Sequence, residues 1–491
     1  ILTINHIEDK VTRYGIGYLY TQSPFFYDNY ITGFENITKK DIQKIATNYL
    51  TPDQEIVTIL YPKSTTKTKV KPKTKQETKS IQKITLDNNI ILLLKNDPTL
   101  PKTFAQIMTL GGIRAETKKN NGIGILLADL LGNSSQKYSK EKILKLIEGN
   151  GAHLNASIGN NTLYYTLHCL SDDFQTLLPL FLDTFYFPKF PSEELKESKR
   201  QINKEIEKRQ DDWYTYGNYH FNQHFFKNHP YALPLSGEKN SLQKIQSEKL
   251  TKHHQKLTQS QETVISIMGN FDTNATIKSL NTFYKTKKLT FTPSKLTTPI
   301  PRESHQEKKE ISIPIPQDVT GVFIGFDGVS INNTKDMLKL DLLDSVLSGM
   351  YYPSGRLHNL LREEGLVYMA HAHSRPGMEA GVISIIALTS QDKLKRVKSI
   401  ITEQIKSLQT TTISDKEFKE GIAQLQFYYD NKESSLDQVI ISSALDELYG
   451  KGFDYSKKVR QQITQLTKKD IKEMAKKYLN NPQTVIISPK K

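Results

Sequence analysis

Cysteine is nearly absent from this chain. Cys169 is the one thiol in 491 residues, so no intrachain disulfide can form. It lies in a strand-like run between Leu167 and Leu170, where a thiol acts as a small buried hydrophobe rather than a reactive group. That fits a reducing compartment and equally a periplasm, where disulfides are permitted but not required. No apolar run approaches the roughly 20 residues of a membrane-spanning helix. The opening residues, ILTINHIEDK, have neither an initiator Met nor the charged-then-apolar build of a signal peptide. The chain therefore reads as the later part of something longer. A G-x-S-x-G elbow, a P-loop and a CxxC pair are also missing, which removes the common marks of serine hydrolases, phosphate-binding NTPases and thiol oxidoreductases.

What is present is length and basic charge. A chain of 491 residues exceeds one hydrophobic core, so two or three domains are expected. Lys and Arg number 67 against 52 Asp and Glu, a formal charge of +15. Part of it sits in residues 64–80, STTKTKVKPKTKQETKS, which alternates Lys with Thr and carries almost nothing apolar. Such a segment is a solvated interdomain tether, with a basic arm for an anionic surface as the alternative. No RNA-binding or helix-turn-helix pattern accompanies it, so no nucleic-acid partner is expected.

Taken in order, residues 1–63 hold helical material, then a helix capped by Thr38 and a strand over 56–61. This is too little for a domain and reads as the C-terminal end of one. From 81 to 291 the pattern is mixed α and β. Strands are expected over 84–95, 103–110, 152–157 and 162–170, with a closing strand at 263–268. Helices are expected over 123–132, 140–148, 172–185 and 192–209. Residues 292–309, rich in Pro, Ser and Thr, form a second linker. A further αβ segment covers 310–491, with the capping box Ser414 to Glu417 opening one of its helices.

The end of the chain repeats an earlier stretch. Thr467-Lys-Lys-Asp-Ile471, Ala475 and Tyr478-Leu479 match Thr38-Lys-Lys-Asp-Ile42, Ala46 and Tyr49-Leu50 at the same spacing, and each is followed by a strand run and a Pro. A looser copy lies at Ser247 to Met268. Three such copies at segment ends predict a duplicated architecture: one truncated unit and two complete ones.

At this point the chain resembles the pitrilysin/insulinase (M16) family of zinc peptidases. The matching stretches are Gly112 to Glu116, Tyr138-Ser139 with IEGNGAHLNAS, KEIEKRQDD, His229-Pro230-Tyr231, VISIMGNFD, Gly355-Arg356-Leu357 and LREEGLVY. The resemblance implies an α+β fold of repeated M16-type domains, each an antiparallel sheet covered by helices (LuxS/M16-like). Residues 1–63 would end a preceding domain, 81–291 would be the third of four and 310–491 the fourth. The family's zinc site is an inverted His-x-x-Glu-His helix motif with a distal Glu. Here the three motif positions are Ile125, Ala128 and Asp129, and the distal carboxylate falls on Glu205. Two ligands and the general base are gone, so this chain should bind no zinc and should be inactive alone.

The resemblance further implies that an Arg and a Tyr of the second half hold the substrate backbone. They match Arg362 and Tyr368, with five residues between them where the family commonly has six. A cation and a phenol can both donate to a peptide carbonyl. The alternative is a surface Arg paired with Glu363 or Glu364 beside an ordinary strand Tyr. His220 with His224, four apart, and His371 with His373, on one strand face, have spacings that can hold a metal. Both read better as packing or cavity-lining residues. The implied function is the non-catalytic half of a zinc metalloendopeptidase, closing a chamber over peptide substrates. Zinc would lie in an N-terminal catalytic half, from the same gene product (nicked or truncated) or a separate subunit. The alternative is an inactive M16 scaffold subunit. A bacterial periplasm is the expected compartment, a mitochondrial matrix the alternative.

Overall fold

The computed structural model describes residues 7–34, 36–51, 55, 80–350, 354–379, 381–432 and 436–490. They fall into two units, 1–76 and 77–491. The strand expected at 56–61 and nearly all of the Lys/Thr segment lie outside the described residues.

In the first unit three helices follow one another: α1 (Ile7–Thr21), α2 (Phe26–Phe34) and α3 (Lys39–Tyr49). Thr38 opens α3 with a reciprocal cap. Its hydroxyl accepts from the Asp41 N–H at 3.3 Å, and its own N–H donates to the Asp41 carboxylate at 2.8 Å. The apolar stripe of α3 is bare: Ile42, Ile45, Tyr49 and Leu50 are 58–81% exposed.

The second unit holds two sheets of one design. Its first half runs β1 (Gln82–Thr85), β2 (Ile91–Asn96), β3 (Lys102–Leu110), α4 (Ile123–Leu130), α5 (Lys140–Gly149), β4 (His153–Ile158), β5 (Thr162–Leu170), α6 (Phe174–Tyr186), α7 (Ser192–Glu207), α8 (Trp213–Phe226), α9 (Lys239–Gln243), α10 (Ser247–Thr258), β6 (Thr263–Gly269) and α11 (Thr273–Lys287). Its second half runs β7 (Lys309–Ile315), β8 (Thr320–Asp327), α12 (Thr334–Ser348), α13 (Gly355–Leu357, continuing into a π turn over His358–Arg362), β9 (Met369–Arg375), β10 (Val382–Thr389), α14 (Leu394–Thr410), α15 (Asp415–Asn431), α16 (Leu436–Leu448), α17 (Tyr455–Ile463), α18 (Lys468–Tyr478) and β11 (Gln483–Pro489). The strand expected over 84–95 is instead the hairpin β1–β2, turned at Asn89 with φ 67°.

The strand orders are β1-β2-β6-β3-β5-β4 and β7-β11-β8-β10-β9. With β1 set aside they are the same sheet twice. In each, the first and last strands of the half pair in parallel (β2 with β6, β7 with β11), and the other pairings are antiparallel. Each sheet packs one face on its own helices. The cores are Leu92, Ile107, Tyr165, Phe181 and Ile265 in the first half and Ile324, Leu343, Ile385, Val397 and Ile471 in the second.

The two halves also exchange helices. α8, from the first half, lays Phe221 and Phe225 on Phe323, Val485 and Ile487 of the second sheet. The approach is close because Gly217 and Gly325 have no side chain. A Cβ at Gly217 would lie 2.1 Å from the Phe323 ring, and one at Gly325 2.4 Å from the Phe221 ring. In return α16 sets Ala444 against Leu93, Met108 and Val264, and Val439 and Ile440 against Phe104 and Met268. The Pro-, Ser- and Thr-rich connection 292–309 is tied down along its length. The Ser294 N–H donates to Glu262, Leu296 is buried, and Arg302 and His305 both bind Asp327, at 2.7 and 2.8 Å.

Candidate functional site: a degenerate metal helix and the domain junction

The helix α4 carries the positions matched to the family's metal motif, and a buried carboxylate anchors its start. Glu116, 3% exposed, lies under its N-terminus. It accepts from the Gly122 N–H at 2.7 Å, the Gly124 N–H at 2.9 Å and the Asn121 amide at 2.9 Å. These are the free N–H groups and the positive dipole end that a carboxylate satisfies. Burial pushes the Glu116 pKa up to about 7, against the three hydrogen bonds that pull it down. A Cβ at Gly124 would meet the Glu116 carboxylate at 2.7 Å, so any larger residue there would have to displace it.

On that helix Ile125 is half-buried and packs on the first core, Ala128 is 6% exposed, and Asp129 faces outward. Glu205 is exposed on the neighbouring α7. An alkyl group and a methyl group offer no lone pair, so these residues do not fit zinc. Among the described residues no cluster of three or more His, Cys, Asp or Glu side chains is arranged to hold a metal.

Arg362 and Tyr368 are brought together. The π turn ends at Arg362, Gly365 turns the chain with φ 68°, and the Tyr368 N–H pairs with Leu388 O at 2.8 Å on β10. The Arg362 guanidinium donates to the Tyr368 carbonyl at 2.8 Å and makes no ion pair with Glu363 or Glu364 among the described residues. The Tyr368 ring is 59% exposed just before β9, the edge strand of its sheet. The first sheet also ends on an open edge, β4.

His220 packs among aromatic rings, whereas His373 is exposed, with its Nδ1 3.8 Å from Asp344. His220 meets Tyr216 and Tyr219 edge to face, with ring centroids at 4.4 and 4.9 Å, and burial lowers its pKa. The His371 and His373 rings lie 6.5 Å apart at 19°. The Cys169 thiol is buried and its pKa is pushed up to about 12 by burial first and Asp173 second.

A polar knot at the junction of the two halves escaped the sequence reading. Arg114, just after β3, is buried against Glu379 of the β9–β10 connection, with Nε to Oε1 at 2.9 Å. Its other nitrogens bind the carbonyls of Leu296 and Thr298. Glu379 also accepts from the Ile300 N–H at 3.0 Å and faces His229 Nε2 at 3.3 Å. Burial works to raise the Glu379 pKa. The bonds from His229, Arg114 and Ile300 outweigh it and hold the carboxyl at about 2. Alongside, the Tyr231 hydroxyl donates to Asn161 at 2.5 Å and accepts from the Met378 N–H at 3.0 Å. Arg114 and His229-Pro230-Tyr231 lie in stretches that carried the family resemblance. Their partner, Glu379, stood in no recognisable pattern.

With this geometry in place, the comparisons agree on one class. Residues 91–239 match the family model described as Insulinase (Peptidase family M16), and residues 244–425 match Peptidase M16 inactive domain. The chain belongs to the M16 family. It is 24% identical over 328 residues to an uncharacterised zinc protease of Rickettsia bellii, covering 66% of this chain and 77% of that one. It is 23% identical over 416 residues to a non-peptidase homologue of Helicobacter pylori, covering 82% and 92%. The crystal structure of the M16 inactive domain from Pseudomonas fluorescens superposes with a TM-score of 0.74 at 19% identity, over 84% of this chain and 98% of that one. Further relatives are named as alpha and beta subunits of mitochondrial processing peptidases, in Dictyostelium discoideum and Schizosaccharomyces pombe.

Proposed function

We propose that this chain is the non-catalytic half of an M16 zinc metalloendopeptidase. It would close the chamber and bind extended peptide for cleavage at a zinc site in a catalytic half. The observation that carries this reading is α4: the helix and its Glu116 anchor are retained, while two ligands and the base are replaced by Ile125, Asp129 and Ala128. Substrate handling then falls to Arg362, Tyr368 and the open edge of β9. Arg362 uses one donor on the Tyr368 carbonyl and keeps others for a peptide carbonyl, and the exposed phenol adds a second donor.

The first unit fits as the end of a preceding M16 domain. The α18 residues Ile471, Met474 and Leu479 are at most 4% exposed, where their repeats on α3, Ile42, Ile45 and Leu50, are 58–81% exposed. The natural cover for α3 is therefore a domain body like the α12 and α14 layer that covers α18.

The test is Arg362→Ala and Tyr368→Phe in the chain assembled with its catalytic half. Each should lower kcat/KM for peptide cleavage at least tenfold, and wild-type values would refute the assignment. The second reading is a non-peptidase scaffold, favoured by the helix exchange, which makes the unit rigid. An assembly with neither zinc nor cleavage of any peptide would support it.

A further inference from the structure

A cavity of about 250 Å³ opens where the two halves meet, lined by one side of α8 from Thr215 to Phe226, the β4–β5 turn, residues 233–236 and the β9–β10 connection. Its lining contains Arg209 and Arg375 and no carboxylate. Arg209 is occupied: it donates to Ser236 Oγ at 3.0 Å and Gly237 O at 2.9 Å, and stacks on Tyr219 at 4.2 Å. Arg375 is not. No carboxylate among the described residues lies within ion-pair reach of it, and burial works against its charge. A desolvated guanidinium without a counter-ion is costly, and an anion relieves that cost. On the α8 wall Asn222 presents a buried Oδ1 that has no donor partner. The cavity thus lacks two things: an anion for Arg375 and an N–H for Asn222.

We infer that this pocket binds the terminal residue of a peptide, its carboxylate on Arg375 and its amide N–H on Asn222 Oδ1. A free C-terminal residue carries both groups on one Cα. Inorganic phosphate supplies the charge but not the N–H donor. The volume lies below the roughly 300–1,000 Å³ of drug-sized sites, which suits one residue rather than a longer segment. The inference stands on this pocket alone and does not depend on the roles of Arg362 and Tyr368.

The test is calorimetric titration of the full chain with acetyl-trialanine as free acid, with its C-terminal amide, and with inorganic phosphate. The free acid should bind at least tenfold more tightly than the amide and displace phosphate. Arg375→Gln and Asn222→Leu should each weaken the free acid, the former at least tenfold. Equal binding of acid and amide overturns the inference, as do phosphate binding as tight as the acid, no binding of the acid, or an unchanged Arg375→Gln protein. The acid-to-amide comparison uses the unaltered chain, so it decides the matter even where a variant fails to fold.

Discussion

Replacing Glu379 by Gln removes one charge from the junction and leaves Arg114 buried without its counter-ion. The magnitude follows from the carboxyl itself. Its pKa falls from an ordinary 4.5 to about 2 in the folded chain. At about 1.4 kcal/mol per unit, that is roughly 3 kcal/mol of stability at neutral pH. The general cost of breaking a buried ion pair, about 3–5 kcal/mol, agrees. The sign is fixed by the direction of the shift. A depressed acid contributes its stability above its unfolded pKa and loses it as the pH falls through the folded value. The wild-type contribution is therefore complete above about pH 5 and disappears between 4.5 and 2. Thermal unfolding at pH 7 should show the Gln variant melting roughly 5 °C lower. Its Tm should also fall less steeply than wild type on acidification below pH 4.5. Adding Arg114→Met to it should cost less than the sum of the two single changes. A Gln variant within about 1 °C of wild type at pH 7, with the same acid slope, would refute the reasoning that this pair fastens the two halves.

Three other expectations test different parts of the chain. Gly217→Ala improves helix propensity by about 1 kcal/mol, yet forces a Cβ into Phe323. It should destabilise by about 1–3 kcal/mol in urea unfolding. Installing Ile125→His, Ala128→Glu and Asp129→His together should restore a zinc helix facing Glu205, and elemental analysis should then find zinc retained after dialysis. A metal-free triple variant that is still folded would show that the ligand positions are misassigned. Asp341 and Asp344 on α12 are raised to about 6 and 8, chiefly by burial, and for Asp344 also by Asp341. Raised acids stay protonated in the fold, so their effect on stability grows more unfavourable as the pH climbs from about 4 through 8. Asp344→Asn should flatten the loss of Tm between pH 4 and 8, and an unchanged slope would exclude the pair as its source.

Local chemistry was legible in the sequence. The reciprocal caps at Thr38 and Ser414 form as the spacing predicts, because a cap needs only residues three apart. The helix that carries positions 125, 128 and 129 was legible for the same reason: its apolar spacing is local, and the helix forms over Ile123–Leu130. The duplicated sheet could be inferred from Ser247 to Met268 standing as a looser copy of the stretch that begins at Thr467, since these stretches form α10 with β6 and α18 with β11, although the parallel pairing of first and last strands could not. What stayed hidden is long-range. Arg114 and Glu379 are separated by 265 positions, and nothing local to either names the other. The aromatic face of α8 announces burial but not against which sheet. Both candidate sheets present branched and aromatic residues to the same kind of helix, so the sequence pattern is satisfied by either.

That exchange decides how the molecule can move. Parting the halves of the second unit would strip Phe221 and Phe225 from Phe323, Val485 and Ile487, and Ala444 from Leu93, Met108 and Val264. At about 1.5–3 kcal/mol for each large side chain, the loss is roughly 10–20 kcal/mol. This matches or exceeds the whole stability of an ordinary domain, about 5–15 kcal/mol. The buried Arg114–Glu379 pair adds to it. The two halves therefore move as one body, and α4, Arg362 and Tyr368 keep fixed positions within it.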